Sequence, residues 1–192
     1  MEQQKRSGME DYALVLDFMP VGKSTDTRKE ALAQVIGTQY FTLLELYPKE
    51  NIQLSVEEKI YIGKDERDKV NHIKGRIDYD ALTGAARSEL KIAIKNIIKE
   101  REPDFVNFIN KCGAVTMRLH QLELLPGIGK KHMQEILKAR EERLFENFED
   151  VRKRVHLLPN PEEILAQRIE AELQGTEKYY VLTKPPARPR EF

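Results

Sequence analysis

The segment Leu122–Leu137, LELLPGIGKKHMQEIL, decides the fold of the second half of the chain. Its apolar spacing predicts two amphipathic helices joined by a tight turn, PGIG, at 126–129. Proline fixes φ on entry to the turn, and each glycine permits a positive φ or a close backbone approach. Ile128, between the glycines, is expected to fill the space between the two helices. The segment therefore predicts a helical hairpin.

The start of the second helix has the features of an anion site. The backbone N–H groups of Gly127, Ile128 and Gly129 are expected to point outward, where the helix dipole favours a phosphate oxygen. Lys130 and Lys131 add positive charge in the first helical turn. Charge of that sign opposes the dipole but suits phosphate. The pattern matches the helix-hairpin-helix motif of proteins that bind nucleic acid without sequence specificity; the alternative is a purely structural turn.

The hairpin has a faint internal repeat. Leu124-Leu125-Pro126 recurs 33 residues later as Leu157-Leu158-Pro159, which continues into Asn160-Pro161-Glu162-Glu163. The second copy has lost both glycines and gained acidic residues. We therefore expect a pair of hairpins related by a pseudo-twofold axis, the second of which packs but has no affinity for phosphate.

Helical periodicity extends over the remainder of the second half, from Ser88 onward. One helix carries Leu90 and Ile94, and the next opens at Pro103. The spacing predicts a third helix that carries Val115, Leu119 and Leu122. The fourth, fifth and sixth helices are expected to begin at Gly129, Asn147 and Asn160, the two asparagines being good N-caps.

The first third of the chain predicts β-structure. Four β-rich runs lie at 12–16, 35–47, 58–63 and 70–82, with Gly37 as a bulge in the second run. Short strands without a long intervening helix indicate a small closed barrel of the OB type, which needs a fifth strand. The candidate surface for single-stranded nucleic acid on this barrel comprises Tyr40, Phe41, Lys59, Tyr61, Lys64, Arg76 and Tyr79.

These patterns predict an α+β fold with four regions. An OB-like β-barrel covers 10–85, and a connecting helix follows over 86–102. An all-α, SAM-domain-like domain with tandem helix-hairpin-helix motifs covers 103–175, its second hairpin degenerate. The Pro- and Arg-rich tail, 176–192, is expected to be extended.

Composition narrows the functional classes. Among 192 residues, 32 basic and 32 acidic side chains cancel, so bulk charge gives no argument for nucleic-acid binding. Residues 1–80 carry 12 basic and 15 acidic side chains, net −3, whereas residues 81–192 carry 20 and 17, net +3. The single cysteine, Cys112, excludes an internal disulfide and a cysteine-rich zinc site. We expect no metal, no cofactor, no membrane span and a cytoplasmic location.

Two enzymatic interpretations are weak. Gly22-Lys23-Ser24-Thr25 is similar to the end of a phosphate-binding P-loop, but Asp17 stands where that motif needs glycine. A DNA glycosylase would use Lys131 as nucleophile and a carboxylate at Glu149-Asp150. Those carboxylates are better explained as the first turn of a helix, and the large helical region that would hold a flipped base is absent. The protein is therefore expected not to be an enzyme.

The chain resembles an uncharacterised archaeal family of RNA- or nucleotide-binding proteins. Three blocks carry the resemblance: DYDALT at 78–83, the segment Arg118–Lys131 and FEDV at 148–151. The resemblance implies an OB-like barrel followed by a helix-hairpin-helix domain, an archaeal cytoplasmic setting and a link with the ribosome or RNA metabolism. We accordingly expect weakly sequence-specific binding of nucleic acid, RNA rather than DNA. The alternative is an adaptor that binds proteins of a ribosomal or transcription complex.

Overall fold

The computed structural model describes residues 9–23 and 29–185 and has a mixed α+β fold. The chain divides into two compact units. Unit 1 comprises the residues up to Ala93 together with those from Glu172 onward, and unit 2 comprises Ile94–Ala171. The strands of the larger sheet lie in unit 1, and most of the helices lie in unit 2.

Unit 1 is built on a five-stranded antiparallel sheet. The strands are β1 (Tyr12–Met19), β2 (Leu32–Gly37), β3 (Leu43–Pro48), β4 (Lys59–Tyr61) and β5 (Val70–Arg76), in the spatial order β4-β1-β2-β3-β5. The sheet curls into a half-barrel, and over the described residues its edge strands β4 and β5 do not pair with each other. The expected closed barrel is thus open on one side.

The fifth strand comes from the run 35–47, which is a hairpin rather than one bulged strand. Gly37 ends β2, and the Glu10 carboxylate accepts hydrogen bonds from the N–H groups of Gln39 (2.8 Å), Tyr40 (2.9 Å) and Thr42 (3.0 Å) in the turn. A Cβ at Gly37 would overlap that carboxylate. The sequence prediction of a bulge was wrong because it did not place Glu10, a residue distant in sequence, against this turn.

Both faces of the central strands are buried. Side chains alternate along a strand, so Ala33 and Val35 of β2 join the apolar core on one face, while Gln34 and Ile36 point to the other and are also fully buried. On that second face the Thr83 N–H donates to Gln34 Oε1 (2.8 Å). The segment around the 3₁₀ helix Tyr79–Ala81, which precedes α1 (Gly84–Glu100), therefore lies against this second face of the sheet.

Unit 2 contains the second half of α1, then α2 (Glu102–Lys111), α3 (Lys130–Glu142), α4 (Phe148–Arg154) and most of α5 (Pro161–Leu173), whose last two residues belong to unit 1. Between α2 and α3 lie the short strands β6 (Ala114–Thr116) and β7 (Leu119–His120) and a 3₁₀ helix, Gln121–Leu124.

The predicted third helix is wrong. Val115 lies in β6, Leu119 in β7 and Leu122 in the 3₁₀ helix. Three apolar residues at helical spacing suggested a helix, but the chain around β-branched Val115 and Thr116 pairs with its neighbour in an antiparallel hairpin. The helix starts predicted at Pro103, Gly129, Asn147 and Asn160 each lie within one residue of the observed start, whereas α1 begins at Gly84, before the predicted connecting helix over 86–102.

The described part of the tail is anchored within unit 1. Residues 176–185 form neither helix nor strand. The Glu172 carboxylate, which is 1% exposed, accepts hydrogen bonds from the N–H groups of Val181 (2.9 Å), Leu182 (3.1 Å) and Thr183 (2.7 Å). The rest of the predicted tail, 186–192, lies outside the described residues. Among the helices that are described, none is long and apolar enough to cross a membrane.

Candidate functional site

The turn before α3 is a hydrogen-bonded β-turn. The Ile128 N–H donates to the Leu125 carbonyl over 3.1 Å, with Pro126 and Gly127 in the central positions. Gly127 has φ +78°, so this turn has the proline and left-handed glycine of a type II turn. Pro159 Cγ lies 3.4 Å from the point where a Cβ of Gly127 would be, which brings the two Leu-Leu-Pro segments together. The fold itself therefore requires glycine at position 127.

Ile128 anchors the turn in the core of unit 2. Its side chain is 7% exposed and lines a small apolar cavity together with Leu122, Ile136 and Ile164. Its N–H is used within the turn, so it has no donor to offer a ligand. Among the predicted site residues, Ile128 is therefore the one that positions the others.

The helix that follows begins without a cap. We call Gly129, Lys130, Lys131 and His132 the α3 start. Gly129 is the N-cap residue, it provides no side-chain hydrogen bond, and the first turn holds no acidic residue. The first bond of the helix runs from the Met133 N–H to the Gly129 carbonyl (3.0 Å). Within the described chain, the N–H groups of Lys130, Lys131 and His132 have no protein acceptor, as expected for the first turn of an uncapped helix.

Gly129 differs from Gly127 because nothing in the fold requires it. Its φ of −91° and ψ of −176° are extended values that any residue adopts. A Cβ built at Gly129 would meet no atom within 4 Å, whereas one at Gly127 would touch Pro159. Open space therefore lies over the backbone where the free N–H groups begin.

Basic side chains surround this space. Lys130 and Lys131 are exposed, and neither forms an ion pair with any side chain that the structure describes. His132 Nδ1 lies 3.2 Å from the Gly127 carbonyl oxygen. His132 is not among the residues that the sequence pattern singled out, although its place in the first helical turn was an available signal.

Buried polar groups hold the segment that leads into the turn. The Arg168 guanidinium, 4% exposed, donates to the Leu124 carbonyl over 3.1 Å.

A capping box begins the 3₁₀ helix Gln121–Leu124: His120 Nδ1 accepts from the Leu122 N–H (3.1 Å), and Glu123 Oε2 accepts from the His120 N–H (2.9 Å). Burial, followed by the nearby Arg140, lowers the pKa of His120, so the neutral acceptor form prevails near neutral pH. The His-x-x-Glu spacing was the missed signal.

The two carboxylates considered for a glycosylase belong to the start of α4. Asn147 Oδ1 accepts from the Asp150 N–H over 2.8 Å, and Asp150 in turn pairs with Arg143 (3.0 Å) and Arg154 (3.2 Å). Glu149 pairs with Lys153 over 2.8 Å. Both carboxylates therefore have partners within the helical framework.

Lys23, the described part of the rejected P-loop pattern, is an ion-pair partner of Glu45. Burial of the Glu45 carboxyl would raise its pKa, but hydrogen bonds from Lys23, Gln34 and Lys74 outweigh burial and lower it. Lys23 therefore neutralises a buried charge. Ser24 and Thr25 lie outside the described residues.

The structure places most of the predicted aromatic and basic residues of the barrel in two groups, one around Tyr61 and one around Lys184. Phe41 is 1% exposed and belongs to the core, which corrects its placement as a surface residue. Tyr61 packs edge-on against Tyr12 (ring centroids 5.3 Å apart), with Lys59 over Tyr12. Lys64 is exposed, and the remaining predicted members lie together near the tail: Arg76 and Tyr79 line one small cavity with Lys184, and the Lys184 ammonium lies over the Tyr40 ring.

No metal site is evident in the part of the chain that the structure describes. No three His, Cys, Asp or Glu side chains in residues 9–23 and 29–185 come together closely enough to hold a metal ion. Cys112 is buried, and burial raises the pKa of its thiol despite the nearby Arg140 guanidinium.

Comparison with known proteins identifies the family. A family model described as "Protein of unknown function (DUF655)" matches residues 9–184, and the chain belongs to this family. It is 42% identical over 185 residues to the uncharacterized protein MJ0038 of Methanocaldococcus jannaschii, covering 95% of this chain and 84% of that protein. The crystal structure of Af1531 from Archaeoglobus fulgidus is similar, with a TM-score of 0.85 and 47% identity over 91% of this chain and 100% of that one. The expected resemblance to an uncharacterised family with archaeal members is confirmed.

Proposed function

We propose that this protein binds nucleic acid, RNA rather than DNA, through backbone phosphates at the α3 start. The observation that carries the proposal is a helix start with free N–H donors, open space above Gly129 and two exposed lysines without ion-pair partners. The preference for RNA comes from the family resemblance alone. We assign the protein no catalytic step.

A phosphate oxygen meets the requirements of this site. The first-turn N–H groups of a helix point along its axis and carry the positive end of the helix dipole, so a bound anion satisfies donors that otherwise bond only to water. The turn locked by Gly127 and Ile128 fixes the direction of those donors. Of the predicted Gly127-Ile128-Gly129 donor set, Ile128 uses its N–H in the turn, and the N–H groups of Lys130, Lys131 and His132 add to the donors of the two glycines.

Lys130 and Lys131 are better explained by an anionic ligand at the α3 start than by a purely structural turn. Positive charge in the first turn of a helix is unfavourable by about 0.3–1 kcal/mol per residue. No carboxylate in the described chain offsets Lys130 or Lys131. A phosphate placed between the lysines and the N–H groups reverses the sign of both interactions. The local arrangement is unfavourable for stability and favourable for binding, which is typical of functional positions.

The contacts available predict the character of binding. One uncapped helix start and two lysines can meet about two to four phosphates, so we expect micromolar or weaker affinity that falls with salt concentration. Phosphate contacts orient a backbone without reading bases, so sequence preference should be weak.

The folds of the two units bear on which of them binds nucleic acid. We infer that unit 1 is an OB-like barrel, because its strand order β4-β1-β2-β3-β5 is the OB order opened between β4 and β5. We infer that unit 2 contains a helix-hairpin-helix motif whose first helix is the 3₁₀ turn Gln121–Leu124. The segment around the 3₁₀ helix Tyr79–Ala81 lies against the second face of this sheet, so we favour the hairpin of unit 2 as the binding site.

The test is a titration of wild type and the double variant Lys130→Glu/Lys131→Glu with single-stranded RNA, duplex RNA and duplex DNA at two salt concentrations. Wild type should bind RNA in a salt-dependent manner. The variant should bind at least about a hundredfold more weakly, because two phosphate contacts become repulsive. Circular dichroism should show an unchanged fold, since both side chains are exposed.

A matched control is Arg152→Glu/Lys153→Glu at the end of α4. It changes the net charge equally, at an adjacent exposed pair in the same unit. It should retain most of the affinity. Equal losses in the two double variants would mean that only overall charge matters, and absence of binding by wild type at low salt would overturn the proposed function and favour the adaptor interpretation.

A further inference from the structure

We propose that the tip of the β6–β7 hairpin, Met117 and Arg118, is a second contact with the nucleic acid, in which the Met117 side chain inserts against unstacked bases. This inference rests on the proposed function of the α3 start, which lies in the same unit. It adds a contact to bases where the α3 start contacts phosphates.

Met117 is exceptional in its exposure. Its relative exposure is 104%, the highest of the large hydrophobic side chains in the described chain, and the next value is 76% at Leu157. A methionine gains about 1.5–3 kcal/mol when it is fully buried. In the free protein Met117 makes none of that gain, so its apolar surface is available in full to a ligand.

The turn chemistry does not explain the residues at the tip. Met117 and Arg118 form a two-residue loop between paired Thr116 and Leu119. Such loops favour Asn-Gly or Gly-containing pairs, because the preferred turns need positive φ. Neither residue is among the described residues with positive φ. The turn formed here therefore neither requires nor excludes a methionine and an arginine, so backbone geometry does not explain their identity.

The tip stands on a fixed base. The Gln121 N–H donates to the Gly113 carbonyl (2.9 Å), and Gln121 Oε1 accepts from the Gly113 N–H (3.0 Å). Arg140 Nη1 donates to the carbonyls of Ile109 and Cys112, each over 2.9 Å, which holds the chain that enters β6. β7 then runs directly into the 3₁₀ helix and the turn of the candidate site. A side chain presented on such a base loses little backbone entropy when it binds.

The charge of this region favours a nucleic acid as the occupant. No acidic residue lies between Asp104 and Glu123, whereas Lys111 and Arg118 in that interval are both exposed. A single apolar side chain flanked by cations provides too little area for a stable protein interface, which buries about 800 Å² on each partner. It matches instead the apolar wedges that separate base steps while cations contact the backbone.

The experiment compares Met117→Ala with wild type by titration of a single-stranded RNA that contains 2-aminopurine, a base whose fluorescence rises on unstacking. Wild type should raise the fluorescence, and Met117→Ala should bind about five- to tenfold more weakly with little fluorescence change. The slope of log affinity against log salt should stay the same in Met117→Ala, because methionine carries no charge, and it should fall by about one in Arg118→Gln.

Leu144→Ala, which removes another exposed apolar side chain of unit 2, is the control and should leave affinity and fluorescence unchanged. If Met117→Ala equals wild type in both signals while Lys130→Glu/Lys131→Glu has lost binding, the tip proposal is overturned and the proposed function stands. If wild type binds no RNA, both are overturned. A uniform loss in Leu144→Ala and Met117→Ala would also contradict a specific role of the tip.

Discussion

The starts of α3 and α5 follow the same Leu-Leu-Pro sequence and are built in opposite ways. At α5, Asn160 Oδ1 accepts from the Glu162 N–H over 3.1 Å, and Glu162 and Glu163 place negative charge in the first turn. At α3, Gly129 provides no side-chain cap, and Lys130 and Lys131 place positive charge in the first turn. The first arrangement is what helix stability favours, and the second is what an anion requires.

The difference between the two helix starts shows that α3 lacks the stabilisation that a side-chain cap provides. A side-chain cap contributes about 1 kcal/mol relative to alanine and roughly a few tenths relative to glycine, and the start of α4 has one as well, provided by Asn147. Asparagine caps two of the four α-helices that begin in unit 2, α4 and α5. The start of α2 also has no side-chain cap, but its first turn holds Glu102 and Asp104, so α3 is the helix that combines an uncapped start with positive charge, which supports a role for its free N–H groups in binding.

The largest stability effect that would sharpen this comparison is expected at Gly127. Gly127→Ala should lower the free energy of unfolding by about 1–2 kcal/mol, because a Cβ is disfavoured at φ +78°. Gly129→Ala should be close to neutral for stability, since its backbone is extended and its surroundings are open. Urea unfolding of the two variants measures the difference. Equal destabilisation would contradict the assignment of Gly127 to the fold and Gly129 to the ligand.

A smaller effect is expected at the capped start of α5. Asn160→Ala should lower the free energy of unfolding by about 1 kcal/mol, because the Glu162 N–H loses its acceptor. Its RNA affinity should equal that of wild type in the same titration as above. A loss of RNA binding in this variant would mean that the second Leu-Leu-Pro copy also contacts the ligand.

A still smaller effect, of opposite sign, is expected at Leu157. This residue has φ +55° and is 76% exposed, so it holds a left-handed conformation without apolar burial in return. Leu157→Gly should raise the free energy of unfolding by about 0.5–1 kcal/mol, the relief of strain being partly offset by the greater flexibility of the unfolded chain. Thermal unfolding provides the measurement. A decrease in stability would indicate that the Leu157 side chain contributes contacts that the conformational argument omits.

The smallest effect is a pH dependence of the free energy of unfolding, which is expected to arise at the start of α4 and not at the start of α3. Partial burial would raise the pKa of Asp150, but the Glu146 N–H and the Arg154 and Arg143 guanidinium groups outweigh burial and lower it. A carboxyl whose pKa falls on folding stabilises the protein above its unfolded-state pKa of about 4, and that contribution disappears as pH falls through the folded-state pKa.

Asp150→Asn should therefore reduce the loss of stability that wild type shows in urea unfolding below about pH 4. The neutral double variant Lys130→Gln/Lys131→Gln should leave that acid-dependent slope as in wild type, since neither the wild-type α3 start nor this variant holds a carboxyl group. An Asp150→Asn slope identical to wild type would contradict the ion-pair assignment.

Local signals predicted much of the fold, because they act within a few residues. Asn147 and Asn160 marked helix starts through their own side chains, and Pro126 with Gly127 marked the turn. The signals that failed are long-range. The β2–β3 hairpin depends on Glu10, which reaches a turn some thirty residues away in sequence, and β6 depends on pairing with β7. Neither contact leaves a periodic pattern in the chain.

The candidate site was predictable in its residues and not in their roles. The spacing identified Gly127 to Lys131, but the hydrogen bond that occupies the Ile128 N–H and the open space at Gly129 need three-dimensional geometry. Arg168, which secures the Leu124 carbonyl from α5, carried no signal at all in the sequence, since a buried arginine in an amphipathic helix resembles any polar position.

The most direct test of the account gives α3 the cap that α4 and α5 already have. Gly129→Asn supplies a neutral side-chain acceptor for the first-turn N–H groups without changing the charge of the protein. Phosphate binding at the α3 start predicts a melting temperature higher by about 1 °C and an RNA affinity at least about tenfold weaker, because cap and phosphate compete for the same donors. Wild-type RNA affinity in Gly129→Asn, combined with the higher melting temperature, would contradict binding of phosphate at the α3 start.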